Sequence, residues 1–122
     1  MSKDKTILLA DDDSDFLEAT QLMLMDEGYN VIPAVDGEDA VEKYRQIKPD
    51  IVFLDIKMPG IDGFETFFRI IKSDSDARVV FTSSYAINDD KFKKAKSMSL
   101  RDLINKPIEF EQLEKMIKKH AK

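Results

Sequence analysis

The 122-residue sequence has no cysteine, a single histidine and no long apolar run. Without cysteine, disulfides, thiol catalysis and thiolate metal sites are excluded. His120 lies in a lysine-rich tail, so we expect neither a histidine-based metal site nor a serine–histidine triad within one chain. No segment reaches the roughly 20 apolar residues that a membrane-spanning helix needs. Because the N-terminus is charged and no apolar run follows it, we expect no membrane insertion and a cytoplasmic location.

Basic residues are outnumbered, with 19 Lys and Arg against 24 Asp and Glu, which gives a net charge of −5. Non-specific nucleic-acid binding needs a basic surface, so we expect no direct nucleic-acid binding. The 43% hydrophobic and 35% charged residues are typical of a globular protein. The length suits one domain that buries its own core. We therefore expect a single domain over residues 1–122, with its core at about 6–119.

Short apolar runs alternate with helical patterns along the chain. The run at Thr6–Ala10 is typical of a strand buried on both faces. Ser14 is the expected cap of the first helix, and Gly28 is its expected end. The other predicted strands cover residues 29–34, 51–54, 78–81 and 103–104, and the other predicted helices cover 37–46, 64–72, 88–98 and about 110–117. Five strand–helix units predict an α/β fold, a doubly wound parallel sheet with helices on both faces.

Polar side chains follow the predicted strands at one edge of that sheet, where a functional site is expected. Taken singly, each is explained as a helix cap, a solvated loop residue or a strand residue. Together they form a cluster of carboxylates with a hydroxyl and an ammonium. Such carboxylates repel one another, and a hard divalent cation, best Mg²⁺, would relieve this repulsion. A phosphoryl group could bind there only together with that metal, because the carboxylates alone would repel it. The residues are Asp11, Asp12, Asp13, Asp55, Thr82 and Lys106.

From Ile7 to about Ile117 the chain resembles the receiver domain of two-component response regulators. Four motifs carry the resemblance: the aspartates at 11–13, the sequence Asp-Ile-Lys-Met-Pro-Gly at 55–60 with Asp62-Gly63, Thr82-Ser83 and Lys106-Pro107. Their order and spacing are more specific than any one of them. The resemblance implies a flavodoxin-like (βα)5 fold with five parallel strands in the order 2-1-3-4-5. It also implies a Lys106–Pro107 bond that is often cis.

The resemblance assigns a role to each matching acidic position. Asp55 resembles the acceptor of a phosphoryl group from a kinase phosphohistidine. Asp11 and Asp12 resemble the pair that holds Mg²⁺, with Asp55 and the backbone carbonyl of Lys57 as further ligands. Asp13 is expected to be a loop or capping residue.

Two further positions would contact the phosphoryl group. Thr82 resembles the switch hydroxyl that moves toward it, and Lys106 resembles the lysine that pairs with it. New hydrogen bonds there would bias a partner-binding surface. The expected function is therefore signalling, with catalysis limited to the domain's own phosphorylation and dephosphorylation.

The implied partners are a sensor histidine kinase or phosphotransfer protein and an unidentified output protein or domain. In this family a kinase usually docks on the first helix, near whose start lie Phe16, Leu17, Thr20 and Gln21. Most of the apolar stripe of this helix is expected to be core, so only residues at its rim would contact a partner. Lysines at 91, 93, 94 and 96 give the fourth helix a basic face, which is expected to be solvated; an acidic partner and nucleic acid are the alternatives. The domain is expected to be a monomer or a phosphorylation-linked dimer, and either a stand-alone regulator or part of a longer protein.

The sequence departs from the family pattern near the output side. Leu103 stands where tyrosine or phenylalanine is usual, Ser99 and Leu100 replace a common Gly-Ala pair, and Ile108 replaces a frequent phenylalanine. These changes leave the expected phosphorylation residues in place. They argue against the usual switch, in which an aromatic side chain at the position of Leu103 changes its rotamer on activation, and against the usual output surface.

Rival functions remain open at this point. Asp11-x-Asp13 after a first strand resembles haloacid-dehalogenase-type phosphatases, in which the first aspartate is the nucleophile; that reading leaves Asp55 without a role. A receiver fold that serves as an unphosphorylated scaffold is the second rival. A flavin carrier is disfavoured because acidic residues occupy the loop where the flavin phosphate needs donors.

Overall fold

The computed structural model describes residues 4–84 and 89–122. Five strands alternate with five helices in these ranges. The strands are β1 (Thr6–Ala10), β2 (Asn30–Ala34), β3 (Ile51–Asp55), β4 (Val79–Ser83) and β5 (Asp102–Asn105). The helices are α1 (Ser14–Asp26), α2 (Gly37–Ile47), α3 (Gly63–Ser73), α4 (Asp89–Ser97) and α5 (Phe110–His120). The expected start of α4 at Asn88 lies outside the described residues.

All strands pair in parallel, in the order β2-β1-β3-β4-β5, which confirms the predicted fold and strand order. Alternate residues of each strand point to opposite faces of the sheet, so the apolar strands contribute side chains to two cores. One core cluster lies under α2, α3 and α4 and includes Leu8, Leu54 and Phe81. The other lies under α1 and α5 and includes Leu9 and Phe53.

The edge strand β2 contains Pro33, which lacks the N–H that a central strand would need. The carbonyl oxygen of Pro33 accepts a 2.6 Å hydrogen bond from Lys43 Nζ. The lysine thus covers part of an exposed strand edge. No helix in the described residues has the length and apolar character required to cross a membrane.

The start of α1 corrects one prediction. Asp13, not Ser14, is the N-cap: its side chain accepts hydrogen bonds from the backbone N–H groups of Asp15 and Phe16, both at 3.1 Å. Ser14 is the first helical residue. The prediction that Asp13 is a capping residue is confirmed. Gly28 follows the helix with φ of 97°, as expected for a glycine that ends a helix.

Candidate functional site

The parallel register brings the polar strand ends to one level. Ala10 is paired with Leu54, so Asp11, the next residue, lies beside Asp55. Asp55 is in turn paired with Thr82 on β4. Lys106 follows β5 directly, and its backbone N–H donates to the carbonyl of Ser83 at 2.7 Å. The topology therefore gathers side chains from four strands, as the sequence predicted.

Asp11 is almost completely buried, with 1% of its surface exposed. Its Oδ1 accepts a hydrogen bond from the backbone N–H of Asp13 at 2.9 Å. Its Oδ2 accepts one from Lys106 Nζ at 2.7 Å. Both carboxylate oxygens are thus engaged, as burial of a charge requires.

Asp55 ends the fully buried strand β3 and is 5% exposed. Burial, followed by the negative charge of Asp11, raises the pKa of Asp55 to about 6. The ammonium of Lys106, 3.4 Å from Asp55 Oδ2, and the backbone N–H of Lys57 act in the opposite direction. The carboxyl therefore keeps its proton to a higher pH than an ordinary aspartate does, but it is mostly a carboxylate at neutral pH.

Lys106 is the cation between the two carboxylates. Burial by itself would lower the pKa of its ammonium. The hydrogen bond and charge of Asp11, together with Asp55, outweigh that effect and hold the pKa above its ordinary value. The Lys106–Pro107 peptide bond is cis, which confirms the expectation from the family resemblance.

Three carboxylates are close enough to share a cation. Asp11, Asp12 and Asp55 each offer an oxygen, and these oxygens all lie within 4.8 Å of one another. Asp12 is exposed, whereas the other two are buried. Carboxylate oxygens with room for retained water are the donor set that suits Mg²⁺, so the residues fit this ion.

Thr82 lies on β4 opposite Asp55 and is 2% exposed. Its carbonyl oxygen accepts a 3.1 Å hydrogen bond from the backbone N–H of Ile56. That bond continues the ladder past the end of β3 and fixes the first residue of the loop after Asp55. Ser83 is buried as well, whereas Ser84 is exposed.

Sequence reasoning included Gly63 in a motif of the family resemblance and in the loop before the third helix, but it missed the packing role of this glycine. A Cβ at this position would lie 2.5 Å from Ile56 Cα and 2.6 Å from the carbonyl oxygen of Asp55. The backbone N–H of Gly63 donates to the carbonyl of Ile56 at 2.6 Å. Only glycine lets the start of α3 approach the acidic strand end this closely. A glycine eight residues after the aspartate was the one available signal.

Sequence reasoning also missed a contact of Phe16, which it placed at helical spacing on the first helix, near the expected kinase-docking surface. The Phe16 ring centroid is 5.2 Å from Lys106 Nζ. No local pattern signals this contact, because it joins the start of α1 to the residue after β5.

Three of the residues that depart from the family pattern, Leu103, Leu100 and Ser99, lie at or just before β5. Leu103 and Leu100 are half-buried and pack against the core cluster under α4. Ser99 has a φ of 74°, the left-handed region that favours glycine. The lysines of α4 are exposed, and Lys94 and Lys96 lie over the rings of Phe68 and Phe92, at 5.0 and 5.5 Å from the ring centroids.

Comparison with known proteins identifies the family. Residues 7–118 match the family described as the response regulator receiver domain. The chemotaxis protein CheY of Listeria monocytogenes is 34% identical, over 94% of this chain and 98% of that protein. Transcriptional regulatory protein AfsQ1 of Streptomyces coelicolor is 39% identical over 70% of this chain, but the match spans only 36% of AfsQ1.

Solved structures agree with these relatives. The response regulator TrrA of Thermotoga maritima, in complex with Mg²⁺-BeF, has a TM-score of 0.82 and 32% identity, covering 96% of this chain and 99% of that one. A CheY-like receiver domain from Methanospirillum hungatei has a TM-score of 0.88 and 26% identity, covering 95% and 92%. The chain therefore belongs to the response regulator receiver domain family, whose members are signalling proteins.

Proposed function

We propose that this receiver domain, formed by residues 1–122, accepts a phosphoryl group on Asp55 from the phosphohistidine of a sensor histidine kinase or a phosphotransfer protein. The observation that carries the proposal is the position of Asp55. It ends a buried strand beside two further carboxylates and lies 3.4 Å from the Lys106 ammonium. That combination supplies a nucleophile and a fixed cation at the same edge of the sheet.

In the proposed reaction a carboxylate oxygen of Asp55 attacks phosphorus and forms an acyl phosphate. The bond between phosphorus and the donor imidazole nitrogen breaks, and that nitrogen takes up a proton. Lys106 binds one phosphoryl oxygen through its ammonium, and the Thr82 hydroxyl donates a hydrogen bond to another. Hydrolysis of the acyl phosphate then returns the carboxylate.

Asp11, Asp12 and Asp55, with the backbone carbonyl of Lys57, are the proposed ligands of Mg²⁺. The ion supplies neutralisation of the charge on the carboxylates and the phosphoryl oxygens. Asp11 and Asp55 contribute preset positions, since β1 and β3 hold them side by side. TrrA, a relative solved with Mg²⁺-BeF, supports this choice of ion.

The geometry disfavours the rival in which Asp11 is the nucleophile of a phosphatase. Both Asp11 oxygens already accept hydrogen bonds, from Lys106 and from the Asp13 backbone, and the residue is buried. Asp55 is the more accessible of the two buried carboxylates.

Phosphorylation is proposed to switch a partner-binding surface in a cytoplasmic monomer or phosphorylation-linked dimer. With a net charge of −5, the domain is not expected to bind nucleic acid directly. The output is then delivered by an unidentified protein or attached domain.

The test is incubation with acetyl phosphate and Mg²⁺, followed by intact-mass measurement. We expect the mass of one phosphoryl group to be added, with loss of the addition when EDTA is present or in Asp55→Asn. Asp12→Asn should raise the Mg²⁺ concentration required. Asp13→Asn is the matched control, because asparagine retains the helix cap and Asp13 is not a proposed ligand.

Absence of the added mass in the wild-type protein, with no response to beryllofluoride, would reject the proposal and favour an unphosphorylated scaffold. Turnover of a phosphate monoester that Asp11→Asn abolishes would favour the phosphatase.

A further inference from the structure

The Lys106 ammonium has an aromatic neighbour as well as its two carboxylates. Its Nζ lies 5.2 Å from the centroid of the Phe16 ring. The same atom is 2.7 Å from Asp11 and 3.4 Å from Asp55. An ammonium within about 6 Å of a ring centroid is attracted by the negative face of the ring. Lys106 is thus contacted by opposite charge and by an aromatic ring.

The position of Phe16 is coupled to the same acidic pocket through the N-cap of α1. Asp13 donates its backbone N–H to Asp11 Oδ1 at 2.9 Å. The Asp13 side chain accepts the backbone N–H of Phe16 at 3.1 Å. The Phe16 ring contacts Lys106, and Lys106 in turn donates a hydrogen bond to Asp11. The four residues Asp11, Asp13, Phe16 and Lys106 are therefore linked by a continuous set of contacts. The backbone at Phe16 is therefore positioned by the buried carboxylate that follows β1.

Phe16 is also anchored on its apolar side. It is half-buried and packs against the core cluster under α1 and α5. A ring held in this way has little freedom to leave the ammonium. A lysine, by contrast, carries its charge on a flexible four-carbon stem and loses much side-chain entropy when it is fixed.

We propose that Phe16 is a positioning residue for phosphoryl transfer, which holds the Lys106 ammonium at the pocket through its ring face. This rests on the proposed function of Asp55. A ring face attracts a cation without a directional hydrogen bond. Lys106 can therefore turn from Asp11 toward an incoming phosphoryl oxygen while it keeps its contact with Phe16.

The first experiment compares Phe16→Leu, which removes the ring but keeps an apolar side chain, with Phe16→Tyr, which keeps the ring. The rate of phosphorylation by acetyl phosphate at saturating Mg²⁺ should fall about 2- to 30-fold in Phe16→Leu, the range of a cation–π contact. Phe16→Tyr should retain the wild-type rate. Phe110→Leu is the matched control, since Phe110 packs against the same core cluster.

The second measurement needs no phosphorylation. A ring above Lys106 shifts the NMR signals of the lysine ε-CH₂ protons upfield. We expect this shift in the wild-type protein and in Phe16→Tyr, and its loss in Phe16→Leu, with no change in Phe110→Leu.

An equal loss of rate in Phe16→Leu and Phe110→Leu would overturn the proposal, because it would indicate general loosening of the core. So would an unchanged rate in Phe16→Leu or a failure of Phe16→Tyr to restore it. If the wild-type protein takes up no phosphoryl group, the proposed function fails, and the NMR comparison alone decides whether Phe16 positions Lys106. An unshifted wild-type signal would then reject that as well.

Discussion

Lys106 and Asp11 form an ion pair across 95 positions of the sequence, with 2.7 Å between Nζ and Oδ2. Asp11 is fully buried, whereas the Lys106 side chain is 20% exposed. Asp55, 3.4 Å from the same ammonium, adds a second buried negative charge. One cation thus faces two carboxylates, and the described site has an excess of negative charge that a divalent cation would balance.

Lys106→Met should therefore destabilise the metal-free protein and strengthen its binding of Mg²⁺. Breaking a buried ion pair costs about 3–5 kcal/mol, and the partial exposure of Lys106 reduces our expectation to about 1–3 kcal/mol. Without the ammonium, Asp11 and Asp55 repel each other until a metal ion enters. Urea unfolding with and without Mg²⁺ measures both effects.

The control for Lys106→Met is Lys93→Met, which replaces an exposed lysine of α4. It should leave the free energy of unfolding and the affinity for Mg²⁺ nearly unchanged. A loss of stability in Lys106→Met that saturating Mg²⁺ does not reduce would contradict the prediction.

Asp55→Asn should stabilise the metal-free protein above pH 6. The folded state raises the pKa of Asp55 from 3.8 to about 6, so between these values the folded protein keeps a proton that the unfolded chain has lost. Wild-type stability therefore falls as pH rises through this window. The asparagine variant has no ionisable group at this position, so its stability does not fall in this way. It should be more stable than the wild-type protein by up to about 3 kcal/mol at pH 8.

The difference between the two proteins should shrink as pH falls from 6 to 4 and vanish near pH 3, below the unfolded pKa of 3.8, where Asp55 is protonated in both states. Unfolding curves from pH 3 to 8 in EDTA provide the measurement. A stability difference that does not change with pH would show that burial of the carboxylate charge is not its cause.

The positions of the strands and the main acidic residues were predictable because their signals are local. Runs such as Ile7–Ala10 and Ile51–Leu54 are apolar throughout, and a polar residue after such a run marks the edge of the sheet. The ends of β3 and β4 were less predictable. Asp55 and Thr82 belong to the strands themselves, because backbone pairing continues through polar residues.

Of the features that the sequence did not settle, one depends on local backbone geometry and the others on contacts between separate segments. Ser14 and Asp13 are both good caps by residue type, and the backbone geometry selects Asp13. Phe16 has the spacing of a core residue, but its contact with Lys106 requires α1 and the end of β5 to be adjacent. Gly63 looks like any loop glycine until the backbone around Asp55 is in place.

Gly63→Ala should weaken both the fold and the acidic site. The added Cβ would overlap backbone atoms of Asp55 and Ile56, which cannot move aside as a flexible side chain would. We expect a loss of about 2–3 kcal/mol and weaker Mg²⁺ binding because Asp55 is displaced. Thermal unfolding and a Mg²⁺ titration measure these effects.

Gly60→Ala serves as the comparison for Gly63→Ala. Among the described residues, no atom outside the adjacent residues lies within 4 Å of a Cβ at Gly60, but the φ of 76° at Gly60 is unfavourable for alanine. Its expected cost is about 1 kcal/mol, without a change in Mg²⁺ affinity. Equal effects of the two substitutions would indicate that backbone strain, rather than crowding at Asp55, is responsible.

Tyr44→Phe should remove a hydrogen bond that ties α2 to the end of α3. Tyr44 is buried, and its hydroxyl donates to Asp74 Oδ2 at 2.7 Å. Burial, then this bond and the charge of Asp74, raise the pKa of Tyr44, and the same bond is the main cause that lowers the pKa of Asp74. Because Asp74 remains partly hydrated, we expect the free energy of unfolding to fall by about 1–2 kcal/mol at pH 7.

That loss should depend on pH in a defined direction. A carboxyl whose pKa is lowered by folding adds stability above its unfolded pKa, and this stability disappears as pH falls through the folded pKa. The gap between wild type and Tyr44→Phe should therefore narrow in acid. Tyr29→Phe is the matched control. The Tyr29 hydroxyl lies 3.4 Å from Glu114 Oε2, so this longer hydrogen bond should contribute less to the free energy of unfolding. Urea unfolding at pH 7 and at pH 3 tests this, and a gap that widens in acid would mean that the Tyr44 hydroxyl does not act through the ionised form of Asp74.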